Sequence, residues 1–222
     1  MTTDTPVHRL PSLDTGITHL NTDTHATSVI QSLALNHLIT YAGTARWIDS
    51  KGHARTDTMH RLAPNPRLLE KIQVARAFTP QQHLALIEHL TESVDEETTL
   101  IVLPDVNSFY ADDDLMTGKG EEMLHTALQT LHNVIEDNQV PALITTQRCG
   151  EALHYVAESY ADTTVSCRMT EHGPYFSSDT FETLVYPGNG YVQTTLTLFQ
   201  ALLRERYEQV SVEDGAEVVA HG

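Results

Sequence analysis

An alternation of short apolar runs with longer amphipathic stretches most constrains the fold of this chain. Five apolar runs are predicted strands: Ile17–Leu20, Ala45–Asp49, Ile72–Ala75, Leu100–Leu103 and Ala142–Thr146. Three stretches between them have helical spacing of apolar residues: Ser28–Ala42, Pro80–Ser93 and Glu121–Asn138. Strands that alternate with helices favour a parallel sheet covered by helices. We therefore expect an α/β fold.

From Thr163 the pattern changes to short strands separated by turns. The predicted antiparallel strands are Val165–Met169, Pro174–Phe176, Thr180–Tyr186 and Tyr191–Leu198, with a turn at 187–190. Residues 208–222 are acidic and short of large apolar side chains, so we predict a disordered tail there, and a flexible N-terminus over 1–14. Since no repeat or linker is evident, residues 1–207 are predicted to form a single domain.

The chain is strongly acidic. It has 222 residues, of which 30 are Asp or Glu and 13 are Lys or Arg, for a formal charge of −17. An acidic composition poor in lysine is typical of halophilic proteins, and an ordinary acidic mesophilic protein is the alternative. The Debye length falls to about 3 Å in molar salt. The charge therefore does not exclude a nucleic-acid partner.

Several functional classes are disfavoured by the sequence. No apolar run approaches the roughly 18 residues of a membrane-spanning helix, and Met1–Pro11 holds no apolar signal-peptide core. Cys149 and Cys167 have no metal-binding or redox spacing. The 13 histidines form no metal-binding motif, so we interpret them as scattered surface residues and predict no metal site. We expect a cytoplasmic protein without membrane partners.

Six segments, in order, resemble the RecA/RadA family of recombinases, which are P-loop ATPases. Gly16–Leu20 is similar to the strand before the phosphate loop, Arg46–Gly52 is similar to the next strand, and Ile72–Phe78 is close to the "VARAF" segment of archaeal recombinases. Leu100–Leu103 is similar to the Walker B strand, and Thr117–Gly120 is similar to the first DNA-binding loop. Ala142–Gln147 is similar to the strand whose glutamine couples the ATP site to the second DNA loop. The resemblance as a whole extends over about residues 16–198.

The resemblance implies a RecA-like three-layer fold, with a mainly parallel central sheet, helices on both faces and a C-terminal antiparallel β extension. Combined with the acidic composition, it indicates a haloarchaeal paralogue. Cores of this family associate edge to edge. The resemblance therefore implies a RecA-family or other protein partner, or a homo-oligomer.

The segment at the phosphate-loop position has lost most of its motif. A working loop reads Gly-x-x-x-x-Gly-Lys-Thr/Ser, in which backbone amides and the lysine hold the phosphates and the hydroxyl binds magnesium. The residues here are Asn21, Thr22, Asp23, Thr24, His25, Ala26, Thr27 and Ser28. Both glycines and the lysine are missing, and Asp23 adds a negative charge. A hydroxyl remains at Thr27 or Ser28, and the helix N-terminus leaves weak anion binding open.

Two further catalytic positions are changed. Lys51 stands where the family has its water-activating glutamate, and a charged lysine cannot act as that base. Pro104 stands at the Walker B aspartate position, with Asp105 one residue later. A shift of one residue turns a strand side chain to the other face unless a bulge intervenes. We interpret Asp105 as a turn residue, with cation binding as the alternative, and Gln147 as a retained sensor-like residue.

Lys119 and Arg148 are the candidate DNA contacts. Lys119 lies in the Gly-Lys-Gly segment and Arg148 follows Gln147. However, acidic residues at 112–114, 121 and 122 surround Lys119. A solvated acidic loop is therefore an equal alternative to a DNA-binding one.

The changed motifs predict a pseudo-ATPase. We expect a non-catalytic RecA/RadA-like paralogue that acts through protein contacts in DNA recombination or repair, without a catalytic residue or a cofactor. Binding of ATP with magnesium is the alternative to having no cofactor. Two other functions stay open: a divergent ATPase completed by a partner, and a KaiC-like regulatory module unrelated to DNA.

Overall fold

The computed structural model describes residues 10–22, 26–111, 115–116, 118–170, 173–179 and 195–220. These residues form a seven-stranded sheet in the order β3-β2-β4-β5-β1-β6-β7. The strands are β1 (Ile17–Thr22), β2 (Thr44–Asp49), β3 (Ile72–Arg76), β4 (Thr98–Leu103), β5 (Ala142–Thr145), β6 (Thr163–Thr170) and β7 (Gly173–Ser177). Strands β1 to β6 run parallel, and β7 pairs antiparallel with β6. The predicted α/β class and its antiparallel extension are confirmed.

Helices cover both faces of the sheet. They are α1 (Ala26–Tyr41), α2 (Thr56–Leu62), α3 (Pro80–Ser93), α4 (Lys119–Asn138), α5 (Glu151–Ser159) and α6 (Thr195–Ala220), with a 3₁₀ helix at Pro66–Lys71. One core cluster joins α1, α2 and α6 to the sheet, and a second joins α3, α4 and α5 to its other face. Strand β4 contributes Leu100 and Val102 to the first cluster and Ile101 and Leu103 to the second. A strand buried on both faces explains the continuous apolar runs of the sequence.

The C-terminal part differs from the prediction. The strand predicted at Tyr191–Leu198 is wrong from Thr195 onward, because α6 begins there and continues to Ala220, through the segment expected to be disordered. Phe199 and Leu203 are fully buried in the first core cluster. The apolar positions 196, 199, 203, 207 and 210 follow a helical period of three to four residues. This helical period predicts the observed helix, although residues that favour strands are common around it.

Two other predictions concern the chain ends and the loops. Leu10 and Leu13, inside the segment expected to be flexible, are buried in the core. The strand predicted at Thr180–Tyr186 and the turn at 187–190 lie outside the described residues. Along the described stretches, no helix combines the length and the apolar character needed to cross a membrane.

Candidate functional site

The carboxyl ends of β1, β2, β4 and β5 lie at one edge of the sheet. In α/β folds this edge is where ligands bind, because the loops that follow parallel strands converge there. Four side chains from these loops and from the start of α1 are joined by hydrogen bonds: Thr27, His53, Asp105 and Gln147. The structure thus connects the phosphate-loop remnant, the Walker-B-like residue and the sensor-like residue.

Asp105 is the centre of this network. Its Oδ2 accepts hydrogen bonds from His53 Nε2 and Gln147 Nε2, each at 2.7 Å, and its Oδ1 accepts one from Thr145 Oγ1 at 3.2 Å. The residue is 5% exposed. Burial by itself raises the pKa of Asp105, but the hydrogen bonds from His53, Gln147 and Thr145 outweigh it, so the pKa lies below its ordinary value. The carboxylate is therefore ionised and acts only as an acceptor.

The backbone explains why Asp105 faces this site. Strand β4 ends at Leu103, and Asp105 adopts a left-handed conformation with φ of 51°. Its backbone N–H donates to Thr145 Oγ1 at 2.8 Å. Since the residue lies in a turn, the alternation of side chains along a strand does not apply to it. The concern that Asp105 is turned to the other face is wrong.

His53 bridges α1 and Asp105. Because the carboxylate only accepts, His53 Nε2 donates the hydrogen of that bond, and His53 Nδ1 lies 2.9 Å from the Thr27 hydroxyl oxygen, within hydrogen-bond distance. The backbone around His53 is held by Gln31, whose Nε2 donates to the carbonyls of His53 and Arg55 at 2.8 and 3.2 Å. The His53 side chain is only 13% exposed.

The interpretation of the histidines as scattered surface residues is therefore wrong for His53. It is also wrong for His19, His37 and His83, which are buried. A single signal in the sequence pointed to His53, namely its position just after β2, at the edge where the family's catalytic residues converge. That signal is weak, because polar residues commonly follow a strand.

The phosphate-loop remnant is divided between two elements. Asn21 and Thr22 are the last residues of β1, while Thr27 and Ser28 lie in the first turn of α1. Asp23, Thr24 and His25 lie outside the described residues. Only three residues therefore separate the strand from the helix.

Lys51, at the position of the family's glutamate, does not join the network in the described part of the chain. It is exposed, with φ of 59°, and its Nζ lies 5.2 Å from the centre of the Phe109 ring. This distance allows a cation–π interaction. The Lys51 side chain therefore contacts Phe109, which lies in the segment after β4.

Asn107 is a site residue that the sequence analysis missed. Its Nδ2 donates to the carbonyl of Gln147 at 2.9 Å, and its Oδ1 accepts from the backbone N–H of Gln147 at 2.8 Å. Asn107 is fully buried. These two hydrogen bonds hold the backbone of Gln147 just after β5, and the Gln147 side chain is thereby directed at Asp105.

The two candidate DNA contacts lie apart from this network in the residues that the structure describes. Lys119 is exposed and pairs with Glu122 Oε2 at 3.0 Å, and Arg148 is also exposed. The glycines beside Lys119 have structural roles: Gly118 adopts φ of 79°, and a Cβ on Gly120 would overlap the carbonyl oxygen of Tyr110. Contact with DNA stays a prediction for both residues.

The described residues at this edge are not arranged as the magnesium ligands of a P-loop ATPase are. In P-loop ATPases the ion is held by the loop hydroxyl and by the Walker B carboxylate. Here the His53 ring is hydrogen-bonded to both of those groups, Thr27 and Asp105, and so lies between them. Across the described ranges, no cluster of three or more His, Cys, Asp or Glu side chains could hold a metal.

Comparison with known proteins identifies a family. No curated protein matches the chain. A family model described as Rad51 matches residues 13–165, which is more than two thirds of the chain. The matched range contains β1 to β5 and every residue of the network around Asp105. The chain therefore belongs to the Rad51 family of RecA-like proteins, a family concerned with DNA recombination.

Proposed function

We propose that this Rad51-family chain is a pseudo-ATPase that acts through protein contacts in DNA recombination or repair. The observation that carries the proposal is the position of the His53 ring, with Thr27 bonded to one nitrogen and Asp105 to the other. A cation held by the same two groups would have to displace the partly buried His53 imidazole. It would also have to compete with Gln147 for the Asp105 carboxylate.

The chain around the network supports the same proposal. A phosphate loop places six residues, Gly-x-x-x-x-Gly, before its lysine. Here three residues join β1 to α1, and none of residues 21–28 is a glycine or a lysine. Lys51 replaces the catalytic glutamate and packs over Phe109. Three steps are therefore weakened, each by a different change in the sequence: binding of the nucleotide, neutralisation of the phosphate charge and activation of the attacking water.

Calorimetric titration of ATP with magnesium into the full chain, in molar KCl, tests the loss of nucleotide binding. We expect no saturable heat, while an ATP-hydrolysing recombinase of the same family gives a normal isotherm under the same conditions. Micromolar binding that disappears in the Asp105→Asn variant would overturn the proposal. The chain would then be a divergent ATPase.

The partner-mediated part of the proposal is supported by the edge strand β3. Among the described residues, β3 is hydrogen-bonded on one side, to β2. Val74 on this strand is 47% exposed and Phe78 just beyond it is 73% exposed. An open edge with apolar side chains is a site at which another chain adds a strand. We place the contact with a RecA-family partner, or with a second copy, at this edge.

Sedimentation velocity of the chain mixed with a Rad51-family recombinase from the same organism tests this contact. We expect a faster-sedimenting complex in molar KCl, and at least a tenfold loss of affinity in the Phe78→Ser variant. Tyr155→Ser is the matched control, because Tyr155 is 72% exposed on α5, away from β3. Absence of a complex, or equal effects of the two variants, would contradict a contact at β3.

A further inference from the structure

A cavity of about 420 Å³ lies at the opposite edge of the sheet from Asp105. It is formed at the amino ends of β4 and β5 and just before β1, between the last residues of α1 and α4. Its volume falls within the range of about 300–1,000 Å³ that is typical of small-molecule sites. Nothing in the degenerate nucleotide site uses this cavity, so its function is a separate question.

His37 lines this cavity and has at most one hydrogen-bond partner, the backbone of Thr99. The residue is 4% exposed, and neither ring nitrogen makes a hydrogen bond of acceptable geometry. Burial lowers the pKa of His37, although the backbone of Thr99 works in the opposite direction, so the ring is neutral near pH 7. A neutral imidazole has one donor and one acceptor. The Thr99 backbone takes a hydrogen bond from one ring nitrogen at most, so the other nitrogen stays an open acceptor beside the cavity.

The electrostatics of the cavity favour a positive charge. Helix α1 ends at Tyr41 and α4 at Asn138, and a helix C-terminus carries unpaired carbonyls and a partial negative charge. The Asp14 carboxylate adds a full negative charge. None of the described residues that line the cavity is a lysine or an arginine.

The polar side chains of the lining also present acceptors. Asn138 Nδ2 donates to the carbonyl of Val134, and Gln139 Nε2 donates to the carbonyl of Glu136. Each carboxamide thus uses one of its two N–H donors within the end of α4, and its oxygen remains an acceptor. The apolar remainder of the wall includes Val140 and the half-exposed ring of Tyr41.

We propose that this cavity is a binding site for a small organic cation, an alkyl amine or guanidine of the polyamine class. The charged group lies at Asp14 and the helix-terminal carbonyls, where its N–H groups meet acceptors. A further N–H donates to His37, and the alkyl chain packs against Val140 and Tyr41. The site is independent of the network at Asp105 and does not require nucleotide binding.

Titration of spermidine into the ¹⁵N-labelled full chain, followed by amide chemical shifts in 1 M KCl, tests this site. The salt screens weak binding to the acidic surface, because the Debye length is then about 3 Å. We expect saturable shifts at Tyr41, Thr99 and Gln139. Asp14 is exposed, so Asp14→Asn leaves the fold intact, and we expect it to weaken binding at least fivefold.

Glu151→Gln is the charge-matched control, because it removes one exposed carboxylate at the start of α5. We expect it to change the dissociation constant less than twofold. His37→Phe, which removes the open acceptor nitrogen, should weaken binding as Asp14→Asn does. Shifts that do not saturate, or equal weakening by Asp14→Asn and Glu151→Gln, would show binding to surface charge alone and overturn the proposal.

Discussion

At the scale of single residues, Asp105 accepts hydrogen bonds from three side chains that come from two segments of the chain, the loop after β2 and the end of β5. His53 is the one that also reaches α1, through Thr27. Removal of the His53 ring leaves the Thr27 hydroxyl without this partner and removes one donor from the buried Asp105 carboxylate. Gln147 and Thr145 still hold Asp105, so the loss is partial.

We therefore expect His53→Ala to lower the free energy of unfolding by about 1–3 kcal/mol, the usual effect of unpairing a buried polar group. Urea denaturation at pH 7.5 in constant KCl measures the change. His89→Ala is the control, since His89 is exposed on α3 and pairs only with Glu92 among the described contacts. It should change the free energy by less than about 0.5 kcal/mol. Equal effects would show that the His53 bridge contributes no stability.

His83 gives the protein a dependence of stability on pH. The ring is fully buried, its Nδ1 lies 2.9 Å from the Tyr110 hydroxyl, and burial lowers the pKa of His83 to about 4. An unfolded histidine has a pKa of about 6.5. Between these values the unfolded chain takes up a proton that the folded chain does not, so stability falls as the pH falls from about 6.5 to about 4.

The His83→Leu variant should reduce this slope. Urea midpoints at pH 7.5, 5.5 and 4.5 should fall less steeply in the variant than in the wild type. His125→Leu is the matched control, because His125 makes the same kind of contact, with Tyr160, on the exposed face of α4. An unchanged slope in His83→Leu would mean that His83 is protonated in the folded protein.

At the scale of elements, α6 is the largest departure from the sequence-based prediction. Its first turns replace a predicted strand, and its later turns replace a predicted tail. The helix contacts α1 and α2 through Phe199 and Leu203. An isolated helix of this composition is weak, so its stability must come from this packing.

Leu203→Ala should therefore lower the free energy of unfolding by about 2–5 kcal/mol, through lost burial and the cavity that remains. Arg204→Ala, at the next and exposed position, should change it by less than about 0.5 kcal/mol. Equilibrium denaturation of both variants in molar KCl measures the difference. Small effects of both substitutions would contradict the packing of α6 on the first core cluster.

The two glycines of the Gly-Lys-Gly segment at the start of α4 are explained by the backbone. Gly118 is required by its left-handed backbone, and Gly120 by the close carbonyl of Tyr110. Both glycines are thus explained without a DNA contact. The similarity of this segment to a DNA-binding loop therefore reflects the shape of the helix start and carries no information on DNA by itself.

At the scale of the whole molecule, the net charge of −17 opposes the compact state. Repulsion among like charges destabilises a folded chain at low ionic strength, and salt screens it. We expect the thermal midpoint at pH 7.5 to rise as KCl increases from 0.2 to 3 M. Differential scanning calorimetry measures the midpoint.

The same series at pH 5.0 is the control, because this pH is close to the sequence pI and the net charge is small there. The rise should be clearly smaller than at pH 7.5. A midpoint that does not rise with KCl at pH 7.5 would contradict the interpretation of the composition as that of a halophilic protein.

The sequence by itself determined β1 to β5, the helices α1, α3 and α4, and the family. These elements are set by local apolar periodicity, which depends on neighbours within a few positions along the chain. The missing glycines and lysine of the phosphate loop and the Lys51 replacement were equally readable, since a motif is a local feature.

The tertiary structure alone decided the contacts that define the sites. His53 and Asp105 are 52 positions apart, and Asp105 and Gln147 are 42 apart. Such residues meet only because parallel strands bring their carboxyl ends to one edge of the sheet. The cavity beside His37 likewise depends on where α1 and α4 end relative to each other, and α6 depends on the core against which it packs.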